Sequence, residues 1–248
     1  MPQDHLISII TVTYNSEKYL RETIESVLKQ IDYLFEYIII DGQSTDKTLT
    51  IIQNYISQFK GKLTYISEPD NGIYDAMNKG IKHAKGEIIG LINSDDFYTP
   101  NALQEIQSIL NNTPDIDCIY SDAFIINESS QIEYIKKANI KDLNKGMSLN
   151  HPTCFIKKKT YQEIGLYDTK YKIAADYDFA LRMKKQNCKL YYSTNILSNF
   201  RDGGASVKNM RIGINDTFKI QRNYFGLLRA SYIKIKSYIR LWFKGKTF

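Results

Sequence analysis

The chain has 248 residues, 43% of them hydrophobic and 24% charged, enough for one substantial core and a smaller lobe. It carries a net charge of +6 and holds no run of about 20 apolar residues, which excludes a membrane-spanning helix. Cys118, Cys154 and Cys188 are odd in number and widely spaced, which excludes a zinc motif and a disulfide framework and predicts core thiols in a reducing compartment.

The N-terminal stretch MPQDHLISIITVTYN has no basic n-region and no small-residue cleavage site, so no export signal is expected. Leu6 to Val12 reads as a β-branched strand. Asn15 or Ser16 is placed to cap a helix in which Tyr19, Leu20, Thr23, Ile24, Val27 and Leu28 recur at helical spacing. Tyr37 to Ile40 is a second strand, ending in Asp41; Asp46 then caps a helix running to about Phe59. Leu63 to Ser67 is a third strand, followed by a helix over Ile73 to Ala84 with Ile73, Met77, Gly80 and Ile81 on one face. Ile88 to Ile92 is a fourth strand, Pro100 marks a helix start, and Ile116 to Tyr120 is a fifth strand. This alternation predicts a mostly parallel, Rossmann-like sheet with helices on both faces. After Ser121 the spacing changes. A hairpin is expected over Ile125 to Lys136, turning at Glu128 to Ser130, then helices over Lys159 to Gly165 and Tyr177 to Gln186.

The charge is uneven. From Ser206 onward the chain holds ten Lys or Arg against one acid, Asp216, so this tail carries +9 and the rest −3. Phe225, Leu228, Tyr232, Ile235, Ile239 and Trp242 fall on one face of a predicted tail helix, with Arg222, Arg229, Lys236 and Arg240 along its border. That pattern predicts contact with an anionic membrane surface, whereas the acidic body argues against a nucleic-acid partner.

The strand ends carry the chemistry. Thr13, Tyr14 and Asn15 follow the first strand, Asp41 the second, Asp70 the third, and Asn93, Ser94, Asp95 and Asp96 the fourth. In a parallel sheet these ends share one edge, where ligands bind. Adjacent acids at such an edge repel unless a cation lies between them, and Mg²⁺ or Mn²⁺ shared with substrate phosphates is the simplest solution. Neither GxGxxG nor GxxxxGK[ST] is present, which argues against a dinucleotide or P-loop enzyme. His151 in NHPTCF is a candidate acceptor or metal contact, and Arg201 with DGGAS reads as a loop able to cover a diphosphate.

Four pieces, SIITVTYNSEKYLRETIESVLKQ, YIIIDGQSTDKT, ISEPDNGIYDAMNKGIKHAKGEIIGLINSDDFYTP and IAADYDFALRM, resemble in order the family 2 glycosyltransferases, inverting enzymes with the A-type glycosyltransferase fold. The resemblance implies a nucleoside-diphosphate sugar donor, uridine-linked if Asp41 holds a pyrimidine. It implies a glycan or lipid-linked acceptor in polysaccharide biosynthesis. Thr13, Tyr14 and Asn15 would flank the base and ribose, with Asp70, Asp75, Asn78, Asn93, Ser94 and Arg201 further donor contacts. Asp95 matches the second acid of the family's Asp-x-Asp motif and would bind Mg²⁺ or Mn²⁺, with Asp96 as an auxiliary ligand. Asp176 matches the aspartate that serves as catalytic base. Independently of that match, it lies where a carboxylate can meet an acceptor hydroxyl ahead of a helix, with Asp178 its local competitor. Three positions depart from the pattern: Asn93 replaces the first Asp, Gly42 a second Asp after the second strand, and Ala175 a Glu before the base.

The implied division is a nucleotide-sugar-binding half (1–122), an acceptor and catalytic-base half (123–205) and a basic helical tail (206–248), acting at the cytoplasmic face of the cell membrane. Two rivals remain: a nucleotidyltransferase acting on sugar phosphates, and an inert nucleotide- or glycan-binding membrane-associated protein.

Overall fold

The computed structural model describes residues 5–243. Among these, one sheet contains β1 (Ile7–Thr13), β2 (Glu36–Asp41), β3 (Leu63–Ser67), β4 (Ile88–Leu91), β5 (Phe97–Tyr98), β6 (Cys118–Ile126), β7 (Ile132–Lys136), β8 (Phe155–Lys157) and β9 (Leu190–Arg201). Their order is β3-β2-β1-β4-β8-β6-β9-β5, with β7 beside β6. The helices are α1 (Leu20–Leu28), α2 (Thr48–Tyr55), α3 (Ile73–His83), α4 (Ala102–Asn112), α5 (Lys158–Ile164), α6 (Ala175–Lys185), α7 (Ala205–Lys208), α8 (Met210–Phe225) and α9 (Leu227–Phe243).

The first four strands are parallel, with Thr13 opposite Asp41 and Ile10 opposite Leu91. Because strand side chains alternate, Ile7 and Ile9 pack with α1, α2 and α4, while Ile10 and Val12 pack with α3, α6 and α8. This is the expected α/β architecture, with helices on both faces. A Cβ at Gly80 would lie 2.5 Å from Ile10 Cγ2, so this glycine lets α3 rest directly on β1. The later chain joins the same sheet: β8 enters antiparallel between β4 and β6, and β9 runs parallel to β6.

Several local expectations change. Neither Asn15 nor Ser16 caps α1 with its side chain; the helix starts at Leu20, and Asn15 Oδ1 instead accepts the Thr45 N–H at 2.8 Å. The fifth strand does not stop at Tyr120 but continues to Ile126, straight into the expected hairpin. The tail is two helices. Gly226, at φ 86°, ends α8, and α9 folds back so that Lys234 lies 4.7 Å above the Phe218 ring. Phe225 packs against the core. Leu228, Tyr232, Ile235 and Ile239 remain 89%, 65%, 60% and 49% exposed along one face of α9. The side chains of Arg240 and Trp242, and residues 244–248, lie outside the described residues. No described helix is long and apolar enough to cross a membrane.

Candidate active site

The ends of β1, β2 and β4 meet at one edge, as the parallel order requires. Two loops form its floor and are stitched together. Asn15 N–H donates to Ser44 Oγ at 2.8 Å, Ser16 N–H to Thr48 Oγ1 at 2.8 Å, and Gly42 N–H to the Thr13 carbonyl at 2.8 Å. The Ser16 and Ser94 hydroxyls, 2.8 Å apart, tie this floor to the turn after β4. Tyr14 stands 63% exposed above it, a free aromatic face.

Asp41 lies beneath the floor. It is fully buried and accepts the Ser44 N–H, the Ser44 hydroxyl and the Ser67 hydroxyl at 3.0, 2.5 and 2.6 Å. Its place at the surface is filled from the loop after β3: a Cβ at Gly42 would lie 2.5 Å from Asp70 Oδ2, so Asp70 roofs the position beside Tyr14. Asp75 accepts the Asn71 N–H at 2.9 Å and secures the entry to α3. Asn78 exchanges two hydrogen bonds with the Tyr167 backbone, at 2.8 and 3.0 Å, and clamps α3 to the loop before α6.

The turn after β4 carries Asn93 to Asp96. Asp96 is buried and accepts the Arg201 N–H at 2.9 Å and the Asn93 amide at 3.0 Å, so it braces the turn from below. Burial, reinforced by the Asp95 charge, raises its carboxyl well above the usual carboxylate range. Arg201 is also beneath the turn, 2% exposed. Its guanidinium donates to the carbonyls of Asp95, Asn127 and Glu128, to Ser130 and to Glu22. It holds four segments together and leaves the surface to others.

Asp95 is partly buried, and burial raises its carboxyl pKa, with Arg201 and Lys208 opposing. Gly204 crosses so near that a Cβ there would lie 2.9 Å from Asp95 Oδ2. Asn93 Oδ1 is buried without a hydrogen-bond partner among the described residues. An orphaned carbonyl oxygen two residues from a carboxylate is a donor set suited to Mg²⁺ or Mn²⁺. Among the described residues no group of three His, Cys, Asp or Glu could hold a metal. An ion here would therefore need substrate oxygens to complete its shell.

Asn93 also lines a cleft of about 450 Å³ that runs to Asp176, His151, Lys136 and Asp202, with apolar walls from Met147, Leu149 and the α8–α9 pair. Asp176 sits in the first turn of α6, one residue inside the helix rather than before it. Its Oδ1 accepts the Tyr177 N–H at 2.9 Å and lies 2.9 Å from the Tyr74 hydroxyl. Its Oδ2 takes no hydrogen bond from the described residues. Burial and the Asp176 charge keep the Tyr74 phenol protonated, and thus a donor. Asp178 is excluded from this cleft by its ion pair with Arg182 at 2.9 Å. His151 Nε2 is 3.0 Å from the Tyr167 hydroxyl, and burial pulls its pKa below the ordinary histidine value. Tyr74 and Lys136 were not legible as site residues, since only long-range contacts bring them here, whereas Gly204 belongs to the DGGAS loop expected at the site.

Residues 8–165 match the family described as Glycosyl transferase family 2. An uncharacterized glycosyltransferase of Rickettsia typhi is 29% identical over 98% of this chain and 76% of its own length. A PGL/p-HBAD biosynthesis glycosyltransferase of Mycobacterium bovis is 28% identical over 71% of this chain and 69% of its own. Among solved structures, Staphylococcus aureus TarS 1-349 in complex with UDP-GlcNAc overlays with a TM-score of 0.69 and 18% identity, covering 95% of this chain and 72% of that one. The chain spans 39% of a longer TarS chain. A mannosyltransferase of Pyrobaculum calidifontis in complex with GDP-Man and Mn²⁺ overlays at 0.67 with 15% identity, covering 93% and 74%. The likenesses to solved structures are of fold, and the fold is the A-type glycosyltransferase fold expected from the sequence.

Proposed function

Because the chain belongs to glycosyl transferase family 2, we propose that it moves a sugar from a nucleoside-diphosphate sugar, first of all a uridine one, to a hydroxyl of a glycan or lipid-linked acceptor by a single inverting displacement. One observation carries this reading: Asp176 shares a cleft with Asn93 and, among the described residues, keeps one carboxylate oxygen without a hydrogen-bond partner while the other is held in place. Tyr14 stacks on the base, and Asp70 with the loops at Thr13, Asn15 and Ser94 takes the ribose and phosphate side. Asp41, Asp96 and Arg201 keep those loops in position. The acceptor hydroxyl enters from the α8–α9 side and gives its proton to Asp176 Oδ2 as its oxygen bonds to the anomeric carbon, while the bond to the diphosphate breaks on the opposite face. A divalent cation held by Asp95 and Asn93, when bound, would supply positive charge to the diphosphate oxygens.

The reading is tested with a panel of nucleotide sugars and Mn²⁺ or Mg²⁺, followed by NMR of the product's anomeric centre. Inversion relative to the donor is expected, and retention rejects the single displacement. The mannosyltransferase neighbour, in complex with GDP-Man and Mn²⁺, makes guanosine donors part of that panel.

We place the work at the cytoplasmic face of a membrane, held through α9. Leu228, Tyr232, Ile235 and Ile239 repeat at helical spacing in an exposed apolar stripe, and Lys236 is exposed beside it. A truncation before α8 is a poor test. The Asp216 carboxylate on α8 accepts the Ile173 N–H at 3.0 Å, and Ile220 is in the core, so the body would be damaged as well. Leu228→Glu with Ile235→Glu leaves those contacts intact. The unsubstituted protein should co-sediment with phosphatidylglycerol vesicles and be released only in part by high salt; the double variant should stay in the supernatant. Equal sedimentation of both proteins would make the stripe an ordinary surface.

A further inference from the structure

The acceptor side of the cleft contains two ammonium groups that have no ion-pair partner among the described residues. Lys136, the last residue of β7, opens into the cleft with its Nζ 5.3 Å above the Phe200 ring. Lys234, on α9, lines the same cleft with its Nζ 4.7 Å above Phe218. Among the described residues neither makes an ion pair or a hydrogen bond. Most other lysines near the body are spent: Lys137 on Asp122, Lys79 on Glu68, Lys172 on the Asn71 carbonyl. Aromatic faces stabilise a cation weakly, and leave its three N–H donors unused.

Lys136 is the more exposed of the two, on a strand whose side chains all reach solvent. Surrounding protein pulls its pKa below the ordinary lysine value, while Asp176, Asp96 and Asp202 draw it back. Lys136 shares the cleft lining with Asp176 and Asp202. A neutral acceptor needs no such group, since a sugar hydroxyl is met by carboxylates and hydroxyls.

We propose that Lys136 and Lys234 form a phosphate subsite in the acceptor half, and that the acceptor is an amphiphile carrying a phosphate ester next to an apolar chain. The inference rests on the glycosyltransferase reading above and specifies its acceptor. Lysine binds phosphate as a point charge without demanding a fixed plane, which suits two flexible side chains on different elements. The same cleft is lined by Met147 and Leu149 and by Met210, Ile214, Phe218 and Ile233. An isoprenoid or acyl chain fits that lining, and the exposed stripe of α9 lies on the same helix as Lys234. The two phosphate sources in this cleft, donor diphosphate and acceptor phosphate, are separable because the donor site can be filled first.

Geranyl monophosphate and geraniol serve as probes, titrated by calorimetry into the full chain saturated with UDP and Mg²⁺. The phosphate is expected to bind and geraniol to bind at least about tenfold more weakly, the ratio set by one charge-assisted contact. Lys136→Met should weaken geranyl monophosphate by about tenfold and leave geraniol unaffected, with Lys136→Arg restoring most of the loss. Lys234→Met should act in the same direction. Equal binding of the two probes, or unchanged binding in Lys136→Met, overturns the subsite. Binding of the phosphate only in the absence of UDP assigns it to the donor site and overturns the proposal too. If neither UDP nor any other nucleoside diphosphate binds the unsubstituted protein, it is the glycosyltransferase reading that fails instead.

Discussion

Asp176→Asn is expected to lower kcat by about 10²–10⁴-fold with little change in donor affinity, the range that a positioned general base contributes. The geometry makes the test clean. The amide oxygen of asparagine still accepts from the Tyr177 N–H and the Tyr74 hydroxyl, so α6 and the cleft wall keep their shape. What disappears is the basic oxygen, now an amide NH₂. Asp178→Asn should behave in the opposite manner. Asp178 pairs with Arg182, which also donates to the carbonyls of Ile164, Gly165 and Leu166, so its loss should lower the melting temperature while turnover in the folded fraction survives. Steady-state kinetics and a thermal melt on both variants decide the matter. Near-normal turnover of Asp176→Asn would assign the proton transfer to another group.

Asp95→Asn is expected to reduce metal-dependent nucleotide binding and transfer by about 10²-fold or more, since even the indirect partners of a bound metal are worth about 10–100-fold. Asp95 is the one carboxylate of the turn at the surface; Asp96 lies beneath it with both oxygens engaged by Arg201 N–H and the Asn93 amide. Asp96→Asn should therefore loosen the turn rather than remove a ligand, with a smaller loss that is partly recovered at higher Mn²⁺. Titration of each variant with Mn²⁺ and a nucleoside diphosphate separates the two effects. An unchanged Mn²⁺ dependence in Asp95→Asn would show that the ion sits elsewhere or is not used.

The order of strands and helices in the first half was readable because each apolar β-branched run ends in polar residues and each helix keeps its period. The edge followed from the parallel order alone. Individual roles were less readable. Asp41, Asp75, Asn78 and Arg201 all fall near the edge in sequence, but a one-dimensional pattern does not reveal whether a polar side chain has spare hydrogen-bonding capacity. Here Asn78 spends both its groups on Tyr167, 89 residues away, and Arg201 spends its guanidinium on segments up to 179 residues away. Tyr74 was hidden for a related reason: on the apolar face of α3 it looks like packing, and only its hydroxyl reaches Asp176. The break at Gly226 had a visible sign, a glycine after an aromatic run, which helical periodicity on either side outweighed.

The insertion of β8 also sets the order in which the molecule can be built. As the polypeptide leaves the ribosome, β1 to β4 can assemble as soon as Leu91 has emerged. The outer edge of β4, Ile88 to Gly90, then has no neighbour until Phe155 to Lys157 arrive to pair with it. Closing that long loop must be accomplished before its pairing energy is returned, which slows the step. During that interval an apolar sheet edge is open to other nascent chains. Yield in a host cell is therefore expected to respond to the time between translation of the two segments, a property of the connectivity that the finished protein's stability does not report.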